Sequence, residues 1–160
     1  MHFRIGIGTD LHRLEEGIPL KIGGVEIPWH KGPAGHSDGD TLLHAICDAL
    51  LGAAALGDIG SHFSDKDPKY KNIDSRELLK MVDGLLKQEL FEIANIDSVV
   101  HLQEPKLRPY IGAIEEEIAK VLNLDPNLVS VKAKTGEKTG PVGEGRVVEA
   151  MAVVLIHKTV

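Results

Sequence analysis

Asp10 and His12 stand two residues apart in GTDLHR, residues 8–13, after a run in which Phe3, Ile5 and Ile7 alternate with Arg4, Gly6 and Gly8. Period-two alternation marks a strand with one buried face, and it puts the carboxylate and the imidazole on the same side of the strand's end. His44 and Asp48 lie four apart in TLLHAICDALLGAAALG, where a helix apolar almost all round is expected over residues 41–56. Such a helix should be buried. A buried histidine and aspartate must be paired, metal-bound or facing a cavity, because unpaired polar groups there are costly. Taken alone, His44 and Asp48 read as a satisfied pair. Joined to Asp10 and His12, His44 completes a two-histidine, one-carboxylate set that suits zinc and leaves a fourth position for water or substrate. Asp48 is then expected to accept a hydrogen bond from the other ring nitrogen of His44 and fix its tautomer. Spacing leaves both readings open, since nothing local brings the strand end to the helix.

Two further groups could handle an anion. In HSDGD, residues 36–40, His36 precedes a helix start marked by Ser37 with Asp40 three residues on, the pattern of a capping box. Free amides and the positive helix end attract phosphate there, although a capped helix after a glycine turn accounts for the same letters. Thr135 and Glu137 follow the strand VSVKAK. A hydroxyl in that place could donate to a phosphate oxygen and a carboxylate could hold a hard cation such as magnesium; an ordinary polar turn is the plainer alternative. Asp65 and Asp67 do not make a calcium loop, because Pro68 and Lys69 interrupt the alternating ligands and no glutamate follows at the required spacing.

The elements that must position these groups follow from periodicity and turn chemistry. PLKIGGVEIP reads as a hairpin around Gly23-Gly24. Residues 58–72 lack periodicity and read as an exposed, mobile loop. Asp74 with Glu77 caps the helix SRELLKMVDGLLKQEL, after which come the strand IDSVVHLQ and the proline-bounded EPKLRP. Pro109 suits the first turn of a helix whose buried stripe is Ile111, Ile114, Ile118 and Val121. VSVKAKT, the glycine-rich GEKTGPVGEG and the strand VVEAMAVVLI finish the chain. Strands at both ends with helices between them point to one α/β sandwich, its helices packed on one sheet.

At 160 residues and 42% apolar composition, one domain spanning residues 1–160 with a conventional core is expected. A net charge of -6 without a lysine or arginine block argues against nucleic acid as a partner, and phosphate binding would need local cations, for which bound metal ions are the obvious supply. Cys47, the single cysteine, cannot form an internal disulfide and reads as a small buried hydrophobe. The first residues read as a strand instead of a leader, and no apolar run approaches a membrane span, so a cytoplasmic protein without a membrane role is expected.

GTDLHR near the start, HSDGDTLLHAICDALLGAAALGDIGSHFSDKDP in the middle and KAKTGEK near the end together resemble the 2-C-methyl-D-erythritol 2,4-cyclodiphosphate synthase family, almost end to end. The resemblance implies an α+β sandwich with one mixed sheet, helices on one face, and the sheets of three subunits around a threefold axis. It implies a homotrimer with each active site between adjacent subunits. The implied reaction is intramolecular phosphoryl transfer on 4-diphosphocytidyl-2-C-methyl-D-erythritol 2-phosphate, closing a cyclic diphosphate and expelling CMP in the non-mevalonate isoprenoid precursor pathway.

Carried over residue by residue, the family places zinc on Asp10, His12 and His44, and magnesium or manganese near Glu137. His36 and Thr135 match transition-state-stabilising positions. Asp58 and Gly60, on either side of Ile59, match positions that hold the methylerythritol hydroxyls, and Phe63, Ser64, Asp65, Lys66 and Asp67 would cover them. Leu102, Gln103, Glu104, Pro105, Lys106, Leu107 and Arg108 match the segment that wraps the cytidine, largely through backbone groups, while Ser37, Lys134 and Gly136 complete the substrate contacts. A zinc phosphoesterase and a zinc-stabilised trimeric binding module are the competing classes. The second needs a closed four-ligand site, for which no sequence-adjacent fourth ligand is evident.

Overall fold

Gly6 and Gly8, rather than the apolar residues between them, face the interior of this chain. In the computed structural model, which describes residues 2–159, strand β1 spans Phe3–Glu16 and helix α1 spans Thr41–Ala53. A Cβ on Gly6 would lie 1.9 Å from the Ala49 carbonyl oxygen, and one on Gly8 would lie 2.0 Å from that of Ala45. Only a residue without a side chain lets the helix backbone approach the strand this closely. Phe3, Ile5 and Ile7 point the other way and are 54%, 76% and 64% exposed. The expected alternation is present, but the glycine parity is the one buried within the chain. Asp10 and His12 share that parity, so both project toward α1, from inside a long strand and not from its end.

The main sheet is completed by β4 (Lys31–Pro33), β5 (Phe91–His101), β6 (Val129–Lys134) and β7 (Val147–Lys158), in the spatial order β4-β1-β7-β5-β6. Strand β5 pairs with β6 in parallel and every other neighbour is antiparallel, so the sheet is mixed as expected. A parallel pair needs a crossover, and helix α4 (Ile111–Leu122) provides it. Helix α1 lies on β1 and β7, α3 (Ser75–Gln88) packs on α1, and α4 lies beside β6, so the helices occupy one face. Strands β2 (Leu20–Ile22) and β3 (Val25–Ile27) form the expected hairpin, with positive φ at both Gly23 and Gly24.

Several boundaries differ from the sequence reading for local reasons. Helix α1 stops at Ala53 instead of residue 56, as Ala55 turns into the left-handed region. Strand β5 begins five residues before Ile96, and a register shift between Ile93 and Asn95 carries it past a break in the alternation. The buried stripe of α4 is Ile114, Ile118, Ala119 and Leu122, with Ile111 and Val121 half-buried at its edges. Residues 58–72 are not featureless. Asp58 and Ser61 cap the short helix α2 (Ile59–His62), and Asp67 caps a 3-10 turn over Pro68–Tyr70. A four-residue helix, α5 (Gly140–Gly143), lies in the glycine-rich segment. Among the described residues no helix is long and apolar enough to cross a membrane.

Candidate metal centre and phosphate site

Asp40, not Ser37, is the N-cap of α1. Its Oδ1 accepts hydrogen bonds from the Leu43 amide (3.1 Å) and the Gly23 amide (2.9 Å), while Oδ2 accepts from the Gly24 amide (2.7 Å). One fully buried carboxylate thus ties the start of the helix to the turn of the hairpin. Burial pushes it up to about 6, against the pull of those amides. The correction matters for the site, because Ser37 is released from capping and turns its Oγ to within 3.0 Å of His44 Nε2.

Around that helix the expected donor set comes together. Asp10 Oδ2 lies 2.8 Å from His12 Nδ1 and 3.2 Å from His44 Nδ1, and the two imidazole centroids are 5.3 Å apart. One ligand atom from each of the three residues lies within 4.8 Å of the others. Burial opposes ionisation of Asp10, but the hydrogen bonds and charge of His12 and His44 outweigh it and bring its carboxyl to about 2. Burial likewise pulls His44 down, and the Asp10 contact, with the charges of Asp40 and Asp38, overcomes it and raises His44 above its ordinary value. A carboxylate and two imidazoles directing the same ring nitrogen at one point form a donor set of the kind that zinc takes, so these residues fit a metal.

Asp48 does not meet His44 as expected. Its Oδ1 accepts from the Ile59 amide at 2.8 Å, tying α1 to the start of α2, and burial raises its pKa. The far nitrogen of His44, Nε2, instead lies 3.0 Å from Ser75 Oγ as well as from Ser37 Oγ. Ser75 opens α3, 31 residues from His44, and no periodicity links the two; its one signal is its place beside the Asp74 cap. Thr41, whose Oγ1 lies 3.3 Å from His12 Nδ1, was also missed.

The donor set opens on a cavity of about 240 Å³. His36, Ser37, Ile59, Gly60, Phe63 and Asp65 line it together with Asp10, His12 and His44, and Tyr70, Ile73 and Leu78 add an apolar wall that the sequence reading did not include. Phe63 meets Tyr70 edge to face at 5.4 Å. His36 Nε2 lies 3.3 Å from the Asp67 carbonyl, which joins the helix approach to the 58–72 segment. Asp58 is the exposed cap just before Ile59 and Gly60. Ser64, Lys66 and Asp67 belong to the same segment but do not line the cavity, and apart from the Asp67 carbonyl contact with His36 their hydrogen bonds are local turns.

A second group gathers at the ends of β5 and β6. The Leu102 amide donates to the Lys134 carbonyl at 2.9 Å, and Gln103 Oε1 accepts from the amides of Gly136 (3.2 Å) and Lys138 (3.4 Å). Thr135 Oγ1 donates to Glu137 Oε1 at 2.9 Å. Arg108 and Lys134 line an open depression with Lys132, and the buried Leu107 anchors the turn before it. Glu104 lies on another shallow depression, beside Gln103 and Trp29. Neither residues 102–108 nor residues 134–137 line the metal-site cavity. Within one chain the expected residues therefore form two groups.

Comparison with known proteins decides the family. The profile of the YgbB family matches residues 3–157. The chain belongs to the YgbB family. Among YgbB-like relatives, the 2-C-methyl-D-erythritol 2,4-cyclodiphosphate synthase of Nitrosospira multiformis is 56% identical over 154 residues, covering 96% of this chain and 87% of that protein. The enzyme of the same name from Chloroherpeton thalassium is 57% identical over 155 residues, covering 97% and 99%. A solved 2C-methyl-D-erythritol-2,4-cyclodiphosphate synthase in its CDP-bound form superposes with a TM-score of 0.89 at 38% identity, covering 96% of this chain and all of that one.

Proposed function

We propose that this YgbB-family chain converts 4-diphosphocytidyl-2-C-methyl-D-erythritol 2-phosphate to 2-C-methyl-D-erythritol 2,4-cyclodiphosphate and CMP, in the non-mevalonate route to isoprenoid precursors. The observation that carries the reading is the convergence of Asp10, His12 and His44 on one point beside a small cavity with polar and apolar walls, in a chain 56% identical to a synthase of that name. An oxygen of the 2-phosphate attacks the β-phosphorus, the bond from that phosphorus to the oxygen bridging to the α-phosphate breaks, and CMP leaves with that oxygen. No water is consumed. Catalysis of such a transfer consists mainly of positioning and charge neutralisation.

Zinc held by Asp10, His12 and His44, and magnesium or manganese held at Glu137, supply the positive charge that crowded phosphates require. His36 and Thr135 donate hydrogen bonds to phosphate oxygens. Asp58, Ile59 and Gly60 hold the methylerythritol hydroxyls next to Ser37, and residues 63–67 cover them and keep out water that would hydrolyse the diphosphate. Residues 102–108, with Lys134 and Gly136, cradle the cytidine.

The separation of the two groups of residues supports a homotrimer in which each site is built from the metal ligands of one subunit and the β5–β6 ends of its neighbour. Phe3, Ile5, Ile7, Leu11, Met151 and Val153 form an exposed apolar patch on the sheet, which is the kind of surface an oligomer buries. We further read the chain as one cytoplasmic domain with neither nucleic acid nor membrane as a partner. Phosphorus NMR of the product mixture, with and without a chelator, tests the reading. The cyclic diphosphate and CMP are expected with metal present. Inorganic phosphate would indicate a phosphoesterase, and unchanged substrate in a metal-loaded trimer would indicate a binding module; either overturns the proposal.

A further inference from the structure

His44 can serve a metal through the nitrogen facing Asp10 only if that nitrogen, Nδ1, carries no proton. A neutral imidazole has one proton, for which the Asp10 carboxylate beside Nδ1 competes until a metal takes that side, and the partner of Nε2 then decides how well Nε2 holds it. Here Nε2 lies 3.0 Å from two hydroxyls, Ser37 Oγ and Ser75 Oγ. A hydroxyl can give or accept, so by itself neither would choose a tautomer. Ser75 has no such freedom. Its Oγ–H donates to Asp38 Oδ1, and its backbone N–H donates to Asp38 Oδ2 at 3.0 Å. The Asp40 amide donates to Oδ1 as well, at 3.1 Å, and the Lys21 ammonium stands 4.0 Å from Oδ2. All three of these hydrogen bonds run toward the carboxylate. The Ser75 proton is therefore committed to Asp38, and the lone pair of its fully buried oxygen is left to accept from His44 Nε2–H.

We infer that Asp38 and Ser75 are positioning residues of the metal site: the carboxylate makes the Ser75 hydroxyl a fixed acceptor, which holds the His44 proton on Nε2 when Nδ1 serves a metal. The inference rests on reading Asp10, His12 and His44 as metal ligands. It assigns to a serine at the start of α3, and to an aspartate of the approach to α1, the role that spacing had suggested for Asp48.

Asp38→Asn tests it, because the amide keeps the shape of the side chain while exchanging an acceptor for a donor. In the orientation that keeps the bond from the Ser75 backbone amide, the new NH2 faces Ser75 Oγ. The Ser75 proton then turns to His44 Nε2 and drives the ring proton onto Nδ1. Zinc affinity, measured by competition with a chromogenic chelator, is expected to fall about 100-fold in Asp38→Asn and about 10-fold in Ser75→Ala, where Ser37 still accepts. Adding Ser75→Ala to Asp38→Asn should recover affinity, since the misdirected donor is gone. A purely structural role would instead make the double variant the weakest binder.

Long-range ¹H–¹⁵N correlation spectra of zinc-loaded protein read the Nε2–H of His44 directly. We expect a hydrogen-bonded Nε2–H in the unaltered protein and an Nε2–H signal shifted by loss of the Ser75 acceptor in Asp38→Asn. An unshifted Nε2–H in Asp38→Asn, or equal zinc affinity across the series, overturns the inference. Should Asp38→Asn fail to fold, Ser37→Ala combined with Ser75→Ala removes both acceptors, and undiminished zinc affinity in that variant overturns it too. Failure of the unaltered protein to take up zinc would count against the metal reading, whereas normal uptake with equal affinity in Asp38→Asn would count against this inference alone.

Discussion

The Asp10–His12–His44 cluster and the Thr135–Glu137 turn are both polar sites, but different physics holds them. The cluster draws ligands from a strand and a helix pressed together at Gly6 and Gly8, and the helix start is fixed by the buried carboxylate of Asp40. Its geometry belongs to the chain itself. The turn is an exposed piece of backbone with positive φ at Glu137 and Lys138, held by bonds among its own residues and by Gln103. In the proposed function it is one side of a site. A metal centre gains from ligands arranged in advance, whereas a residue that meets a substrate shared between subunits can be ordered by the partner and ligand that complete it.

The comparison breaks or sharpens at graded cost. His44→Ala should empty the zinc site and lower CMP release by at least about 10³-fold, the loss of several kcal/mol of charge stabilisation, while gel filtration still shows the trimer. Ile5→Asp places a charge in the exposed apolar patch. An unpaired charge buried at an interface costs about 3–5 kcal/mol, so monomers that keep their zinc but release no CMP are expected by light scattering and metal analysis. Active monomers would mean that the two regions complete one another within a single chain.

Thr135→Ala is expected to lower kcat about 10²-fold, as loss of one transition-state hydrogen-bond donor does, with unchanged zinc content. Zinc loss in that variant would show that the turn and the cluster are not independent. Gly8→Ala pushes a methyl group against the Ala45 carbonyl. It should destabilise the fold by about 1–3 kcal/mol in urea denaturation and weaken zinc binding, with no direct effect on the turn.

The mildest change is one of pH. In the metal-free protein burial lowers His44, but contact with Asp10 outweighs it and holds the proton above the ordinary range. The stabilisation from that contact is complete below the unfolded value of about 6.5 and is lost as pH rises through the raised one. Asp10, held at about 2, stays ionised throughout. Zinc must displace the His44 proton, so its affinity should climb over that window and level off above it; a chelator competition that is flat with pH would contradict the Asp10–His44 contact.

Much of this was legible in the letters. The alternation of β1, the hairpin at Gly23-Gly24 and a mostly apolar helix carrying His44 are local patterns that backbone geometry imposes on neighbouring residues. The pairing of Asp10 and His12 by parity is of the same kind; ligand chemistry offered His44 as their partner but left it open, and the family resemblance favoured it. What local pattern could not state is which parity of β1 turns inward, because that depends on a helix some 40 residues away whose backbone fits only over glycine. For the same reason Asp40 replaced Ser37 as the cap: a carboxylate that also satisfies the hairpin amides wins over a hydroxyl that would serve the helix alone. Four-residue spacing put His44 and Asp48 on one helical face, but hydrogen-bond direction is decided by what packs against that face. There α2 claimed Asp48, and the start of α3 claimed the far nitrogen of His44. Residue types and periods are properties of the chain, whereas buried hydrogen bonds belong to the packing that removes water from both partners and leaves them only each other.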